Sequence, residues 1–215
     1  MRERPILFSA PMVRAILDGS KTMTRRVVKP QPKRTGDGVL MWDASHRGMR
    51  FGSVGMDVPP NLVAHCPYGA PGDRLWVRET FGIDDEDGSV LYFADPGTAQ
   101  DAEHARACED RYPRRRPSIH MPRWASRILL EIVSVRVERL QDISHEDALA
   151  EGIPPGGLTQ RRFGVPGMSL AHYFDSARDA FSVLWESING PGSWAANPWV
   201  WVVEFRRVEP TEVKP

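Results

Sequence analysis

The segment Ile128-Leu129-Leu130-Glu131-Ile132-Val133-Ser134-Val135-Arg136-Val137 constrains this chain more than any other. It is long, apolar and rich in β-branched residues, the composition of a strand buried in a sheet. A second such segment, Trp199-Val200-Trp201-Val202-Val203-Glu204-Phe205, alternates as a closing strand. Any fold for this chain has to accommodate both in a core.

The segments before and between them follow no regular alternation. Ser9 can cap a helix that has Pro11 in its first turn, an apolar stripe of Met12, Val13, Ile16 and Leu17, and a stop at Gly19. Residues 21–28 read as extended and end at Lys29-Pro30-Gln31-Pro32. Residues 33–70, rich in Gly and Pro, form a long irregular excursion. The turn Pro71-Gly72-Asp73, shaped by Asp73, leads into a strand over 74–80, and Asp87-Gly88 closes a hairpin into Val90–Phe93. Residues 95–117 are an inserted segment, acidic first and basic after. Ser144-His145-Glu146-Asp147 starts a helix that stops near Gly152, and residues 154–157 begin a loop. Tyr173, Phe174, Ala177, Phe181, Leu184, Trp185 and Ile188 then recur at helical spacing up to Gly190. Strands joined this irregularly exclude a doubly wound parallel sheet. The expectation is an α+β fold: a small mixed, largely antiparallel β-barrel flanked by helices, with long loop insertions. One domain spans 1–209, with insertions at about 33–70 and 95–117 and a tail at 210–215.

Charge narrows the partners. Lys plus Arg number 28 and Asp plus Glu number 28, whereas a protein coating long nucleic acid needs a positive excess. The balance points to a small or short ligand, with room for a local basic patch. Cys66 and Cys108 lie far apart with no Cys-x-x-Cys spacing, which argues against a disulfide framework and a zinc site. No metal and no cofactor are expected. With no signal-like h-region and no window of transmembrane length, a cytoplasmic protein without membrane partners is the default.

The strongest chemical signal is Gly19-Ser20-Lys21-Thr22-Met23-Thr24-Arg25-Arg26, where two hydroxyls, one ammonium and two guanidiniums share six positions. Alternation puts Thr22, Thr24 and Arg26 on one face and Lys21 and Arg25 on the other, although Lys21, at the turn, can fold over beside Thr24. An ammonium near a hydroxyl eases alkoxide formation, or acts as base when its pKa is depressed. The competing reading is a solvated basic strand.

Asp73, Arg78 and Glu79 form a second polar group. Glu79 shares a face with Leu75 and Val77, so it points inward and needs a partner, for which Arg26 and Arg78 are the candidates. Trp185, Trp199 and Trp201 lie on periodic elements and read as core. Trp42, Trp76, Trp124 and Trp194 are better placed near a pocket, where a ring can stack on a base. Arg123-Trp124, with His120, Arg127 and Arg114 to Arg116, is a basic-aromatic patch able to contact phosphates; its other reading is a charged loop balancing the acidic stretch before it.

The run from Leu17 to Arg26 resembles the Gly-x-Lys-Thr signature that opens ASCH domains of the PUA-like superfamily. Residues 71–79 are similar to the Gly-Asp turn and barrel strand that follow in that family, and 197–205 to its closing strand. The likeness spans 5–28, 66–82 and 118–207, and is greatest to the longer ASCH-like proteins of bacteriophages and prophages. It implies a PUA-like barrel. One branch of the family removes the acetyl group of N4-acetylcytidine with a Lys and a Thr three residues apart and a Glu near the end of the helix after the central strand. Lys21 and Thr24 match directly and Glu151 matches by position. The resemblance implies Thr24 as nucleophile, Lys21 as its base and Glu151 as proton donor or positioning group. Those enzymes are about half as long as this single-domain chain. The expected partner is a modified nucleoside or single-stranded nucleic acid, with Arg26, Arg78, Glu79, Trp76, Arg123 and Trp124 as binding candidates. The alternatives are a non-catalytic RNA- or DNA-binding module and a metal-independent ribonuclease.

Overall fold

The structure is a computed structural model that describes residues 1–34, 40–41, 64–98, 114–156, 162–167 and 173–208. Five strands make its main sheet: β1 (Glu3–Leu7), β2 (Met23–Val27), β5 (Arg74–Arg78), β8 (Leu129–Arg139) and β12 (Trp199–Val208). Short strands fill the rest of the numbering: β3 (Lys33–Arg34) with β4 (Leu40–Met41), β6 (Phe81–Ile83) with β7 (Val90–Tyr92), and β9 (Pro155–Gly156), β10 (Arg162–Gly164) and β11 (Tyr173–Phe174). The helices are α1 (Ala10–Leu17), α2 (His145–Ala150) and α3 (Ala177–Asn189). Among the described residues, no helix is long and apolar enough to cross a membrane.

The order across the main sheet is β1-β5-β8-β12-β2. Only β1 and β5 run parallel; the other neighbours are antiparallel. The architecture is therefore mixed α and β, with a largely antiparallel sheet and few helices. β1 and β2 stand at the two ends of that order, with no backbone pairing between them among the described residues.

The alternation of the closing strand is what organises the core. Trp199, Trp201, Val203 and Phe205 join Val13 and Ile16 of α1 in one cluster. Val200 and Val202, on the opposite face, join Phe181, Leu184 and Trp185 of α3 and Ala148 of α2 in another. β12 is thus covered on both sides, as its near-continuous apolar run requires. Each fully buried Val, Leu, Ile or Phe contributes roughly 1.5–3 kcal/mol relative to exposure, so this strand and its two helical layers dominate the hydrophobic stabilisation. The register shifts once, where Glu204 opposes Ser134 but Phe205 opposes Ile132, leaving Val133 as the extra, exposed residue of a bulge.

Three sequence expectations change, and one element is new: the N-terminus, to which no element is assigned from sequence, is the edge strand β1, and Pro5 sits in it without breaking a central ladder. Tyr173 and Phe174 pair as β11 instead of opening α3, which begins at Ala177 because the Ser176 hydroxyl accepts from the Asp179 N–H at 3.0 Å. Pro155 and Gly156, expected in a loop, pair with β10. The strand expected over 74–80 ends at Arg78, and the chain restarts as β6. The hairpin at Asp87-Gly88 forms as anticipated between β6 and β7.

Candidate functional site

The site is assembled where the end of α1 meets the end of α2. Asp18 and Gly19, the latter at φ +83°, turn the chain out of α1, and the Lys21 N–H donates to Ala15 O at 2.8 Å. Lys21 then bridges Glu151, the C-terminal cap of α2, and the Thr22 N–H donates to Ala150 O at 2.9 Å. Gly152 makes this approach possible. Its φ is +88°, and a Cβ there would lie 3.1 Å from Ala15 Cβ and 3.2 Å from Lys21 Cβ. The Ser144 hydroxyl fixes the other end of α2 by accepting from the Asp147 N–H at 3.0 Å.

Lys21 is wholly buried at its side chain. Its ammonium donates to Met23 O at 2.8 Å, to Glu151 O at 2.8 Å and to Glu151 Oε2 at 2.7 Å. Those are all three donors an ammonium has. Burial lowers the Lys21 pKa below its ordinary value, and the Glu151 carboxylate opposes that shift. Arg25, also buried to the tip, reaches three carboxylates. Its Nη2 donates to Glu138 Oε1 and Asp147 Oδ2, both at 2.5 Å, its Nε to Glu138 Oε1 at 3.0 Å and its Nη1 to Glu151 Oε1 at 3.4 Å. Burial works against the Arg25 charge, but Glu151 and Glu138 outweigh it and raise its pKa. Arg136 closes the network, donating to Glu138 Oε2 at 3.0 Å and to Asp147 Oδ2. Three cations therefore face three carboxylates, the balance a buried ionic cluster needs.

A cavity of about 360 Å³ opens beside this cluster, in the seam between β1 and β2. Because β2 is a sheet edge, residues from both of its faces reach the cavity: Thr24, Arg25, Arg26 and Val27 all line it, with Glu151 beside them. Phe8, Met12, Phe181, Leu184 and Trp185 supply an apolar and aromatic wall, and Thr80 and Ser118 lie on the rim side of β6 and the segment after it. A small polar cluster against an apolar wall in a volume of this order suits a small molecule. The Thr24 side chain is buried and makes no hydrogen bond to another described residue, so its hydroxyl is uncommitted beside the open volume.

The structure pairs Lys21 with Glu151, while Thr24 makes no direct hydrogen bond to either of them. Thr24 and Glu151 line the cavity, whereas Lys21 lies behind Glu151 and makes no direct hydrogen bond to Thr24. Arg26 lines the cavity too, its Nη2 donating to Leu7 O at 2.6 Å and its guanidinium 5.3 Å from the Phe8 ring centre. Glu79 points inward as expected, only 1% exposed, but neither expected partner reaches it. Arg26 is engaged across the seam, and Arg78 projects from the opposite face of β5, where it stacks on Trp76 at 4.6 Å and donates to Ile119 O. Arg127 takes the role instead, donating to Glu79 Oε1 at 2.9 Å and Oε2 at 3.0 Å, holding Asp95 with its other edge, and lying 3.9 Å from the centre of the Tyr92 ring. Burial raises the Glu79 pKa and Arg127 opposes it.

Trp76 is buried and does not line the cavity, contrary to its reading as a pocket-side ring, because both faces of β5 are covered. Trp194 packs edge-on against Phe181 at 6.2 Å. Trp42 lies outside the described residues, as does Cys108; Cys66 is a buried thiol. Trp185, Trp199 and Trp201 are core, and Asp73 shapes its turn by accepting from the Arg2 and Ala70 N–H groups. Arg123 pairs with Glu3 at the surface, and Trp124 is 66% exposed; neither lines the cavity. Among the described residues, no group of His, Cys, Asp and Glu could hold a metal ion.

Sequence reasoning missed Arg25, Glu138, Asp147 and Arg136 as one cluster, and Phe181 and Trp185 as a cavity wall. The signal for Arg25 was its place in a strand beside Thr24; the signal for Asp147 was absorbed by its position three residues after the α2 cap. No family model, curated protein or solved structure matches this chain.

Proposed function

We propose that this chain is an ASCH-type protein of PUA-like fold whose cavity receives a modified nucleobase or nucleoside, and that it hydrolyses an N-acylated cytidine there. The observation that carries the reading is that an uncommitted Thr24, Glu151 and an aromatic wall line one cavity of about 360 Å³. The ring of a base stacks against Phe8, Phe181 or Trp185, and its acylated amine meets Thr24.

The chemistry is nucleophilic acyl transfer. Thr24 Oγ1 adds to the acyl carbon as its proton passes to the Glu151 carboxylate, which the Lys21 ammonium holds through Oε2. As the acyl C–N bond breaks, the proton returns by the same route to the departing N4 amine, leaving acyl-Thr24 and cytidine. Water then hydrolyses the ester, releasing the carboxylic acid and restoring the hydroxyl. The Lys21 ammonium orients the Glu151 carboxylate from Oε2, and Arg25 holds it from Oε1.

A panel of N4-acylated cytidines incubated with wild type, Lys21→Ala and Thr24→Ala tests the proposal. Turnover by wild type that is lost in both variants supports it; a wild type that leaves the whole panel intact sinks it.

A second reading, a non-catalytic binder of single-stranded nucleic acid, draws on one observation. Residues 114–127 carry five Arg and no acidic residue. Among the described residues no carboxylate pairs with Arg114, Arg115 or Arg116, and Ile119 and Trp124 are exposed beside them. Strand binding that weakens steeply with salt and survives Thr24→Ala would favour it.

A further inference from the structure

A second cavity, of about 420 Å³, adjoins the first and shares Arg26, Val27 and Asn189 with it. Its polar lining is Arg26, Lys29, Tyr68 and Asn189, with no carboxylate among its wall residues. Among the described residues neither Arg26 nor Lys29 forms an ion pair, although the chain as a whole has as many acidic as basic residues. Two unpaired cations on one wall of a concave site, without an anion, are an unbalanced charge that a ligand can neutralise.

The remaining groups suit the same ligand. Burial raises the Tyr68 phenol pKa, so it stays a neutral donor. Asn189 uses one amide hydrogen on Trp185 O at 3.1 Å and keeps the other. The C-terminal end of α3 at Asn189 opposes an anion with roughly half a negative charge, which two full positive charges exceed. Arg26 lines both the cavity proposed for the base and this one.

We infer that the second cavity is a phosphate subsite, so that the ligand of the paired cavities is a phosphorylated nucleoside, its base beside Thr24 and its phosphate between Arg26 and Lys29. This rests on the base-binding reading above. The phosphate can belong to a free nucleotide or to the backbone of a strand, since both present the same acceptor oxygens to the same donors.

Isothermal titration calorimetry on the full chain carrying Thr24→Ala, with and without Lys29→Ala, separates the cases. The probes are N4-acetylcytidine, its 5′-monophosphate and a trinucleotide with that base in the middle. The expected result is a phosphate-bearing probe binding about tenfold tighter than the nucleoside at low salt. Lys29→Ala, at an exposed lysine, should remove most of that gain and leave nucleoside affinity unchanged. A gain for the monophosphate assigns a free nucleotide, and one for the trinucleotide alone assigns a strand. Equal affinity for all three probes, or a gain that survives Lys29→Ala, overturns the subsite while leaving the base cavity standing. Failure of all three to bind removes the base reading and the subsite with it.

Discussion

Among the described residues two ionic clusters reach the interior, and they are built differently. Around Glu79 the buried member is the anion: Glu79 is almost fully enclosed, and its partner Arg127 extends toward solvent, stacked on Tyr92 and shared with the exposed Asp95. Around Lys21 and Arg25 both of those cations are buried together with the anion Glu151, and the other members, Glu138, Asp147 and Arg136, sit toward the surface. Of the two, the second has members, Arg25 and Glu151, on the wall of a cavity that the uncommitted Thr24 also lines. Pairing alone therefore does not mark a site, because both clusters satisfy their charges. What distinguishes them is whether the paired groups face open volume, and that separates a cross-brace from a candidate active site.

Removing a member should cost unequally. Arg25→Met removes the buried cation shared by three carboxylates, leaving Lys21 to hold Glu151 and Arg136 to hold Glu138 and Asp147, and is expected to destabilise the fold by about 3 kcal/mol, read by urea denaturation. A loss under 1 kcal/mol would mean that Glu138 and Asp147 simply turn to solvent. Gly152→Ala attacks the same cluster through the backbone. A positive φ and a Cβ wedged between Ala15 and Lys21 should cost about 2–3 kcal/mol. Glu79→Gln leaves Arg127 with Asp95 and water, and should cost only about 1–2 kcal/mol in the same assay. If Glu79→Gln proves the most damaging of the three, the contrast between the clusters is drawn the wrong way round.

The smallest effects are those of pH, and their signs differ. Lys21 has a folded pKa below 10.5, so between the two values the unfolded chain binds more protons and stability rises with pH. Glu79 has a folded pKa above 4.5, so just above pH 4.5 the folded chain binds more protons and stability falls as pH rises. Stability–pH profiles of wild type minus Lys21→Met, and of wild type minus Glu79→Gln, should therefore slope in opposite directions in their respective windows. Parallel slopes would contradict this assignment of the two environments.

The parts of this arrangement visible in the sequence are the local ones. A proline in the first turn, an apolar stripe and a glycine stop define α1, although the Ser9 side chain makes no capping hydrogen bond, and the polar run after it follows from adjacency. Helix α2 is announced by Ser144 and ended by Gly152, which puts Glu151 at its tip. The rest depends on contacts distant in sequence. β1 contains Glu3, Arg4 and Pro5 and buries only Ile6 among its apolar residues; it becomes a strand because β5 supplies a parallel partner about 70 residues away. Alternation correctly turned Glu79 inward but could not name Arg127, 48 residues distant, as its partner. Trp76 was misplaced because alternation says which residues share a face, not whether the other face is covered as well. Alternation set Arg25 on a face without naming its partners, since its three acidic partners come from β8 and the end of α2.

The most direct measurement sets the two clusters against each other in one activity assay. Release of cytidine from N4-acetylcytidine should be followed by chromatography for wild type, Thr24→Ala, Glu151→Gln and Glu79→Gln. Turnover by wild type should fall by about 10²-fold or more in Thr24→Ala and Glu151→Gln, and stay within a factor of about 2 in Glu79→Gln, which removes no cavity group. Absence of turnover in wild type, or equal loss in Glu79→Gln and Glu151→Gln, would contradict the assignment of the Thr24–Glu151 cavity as the reacting site.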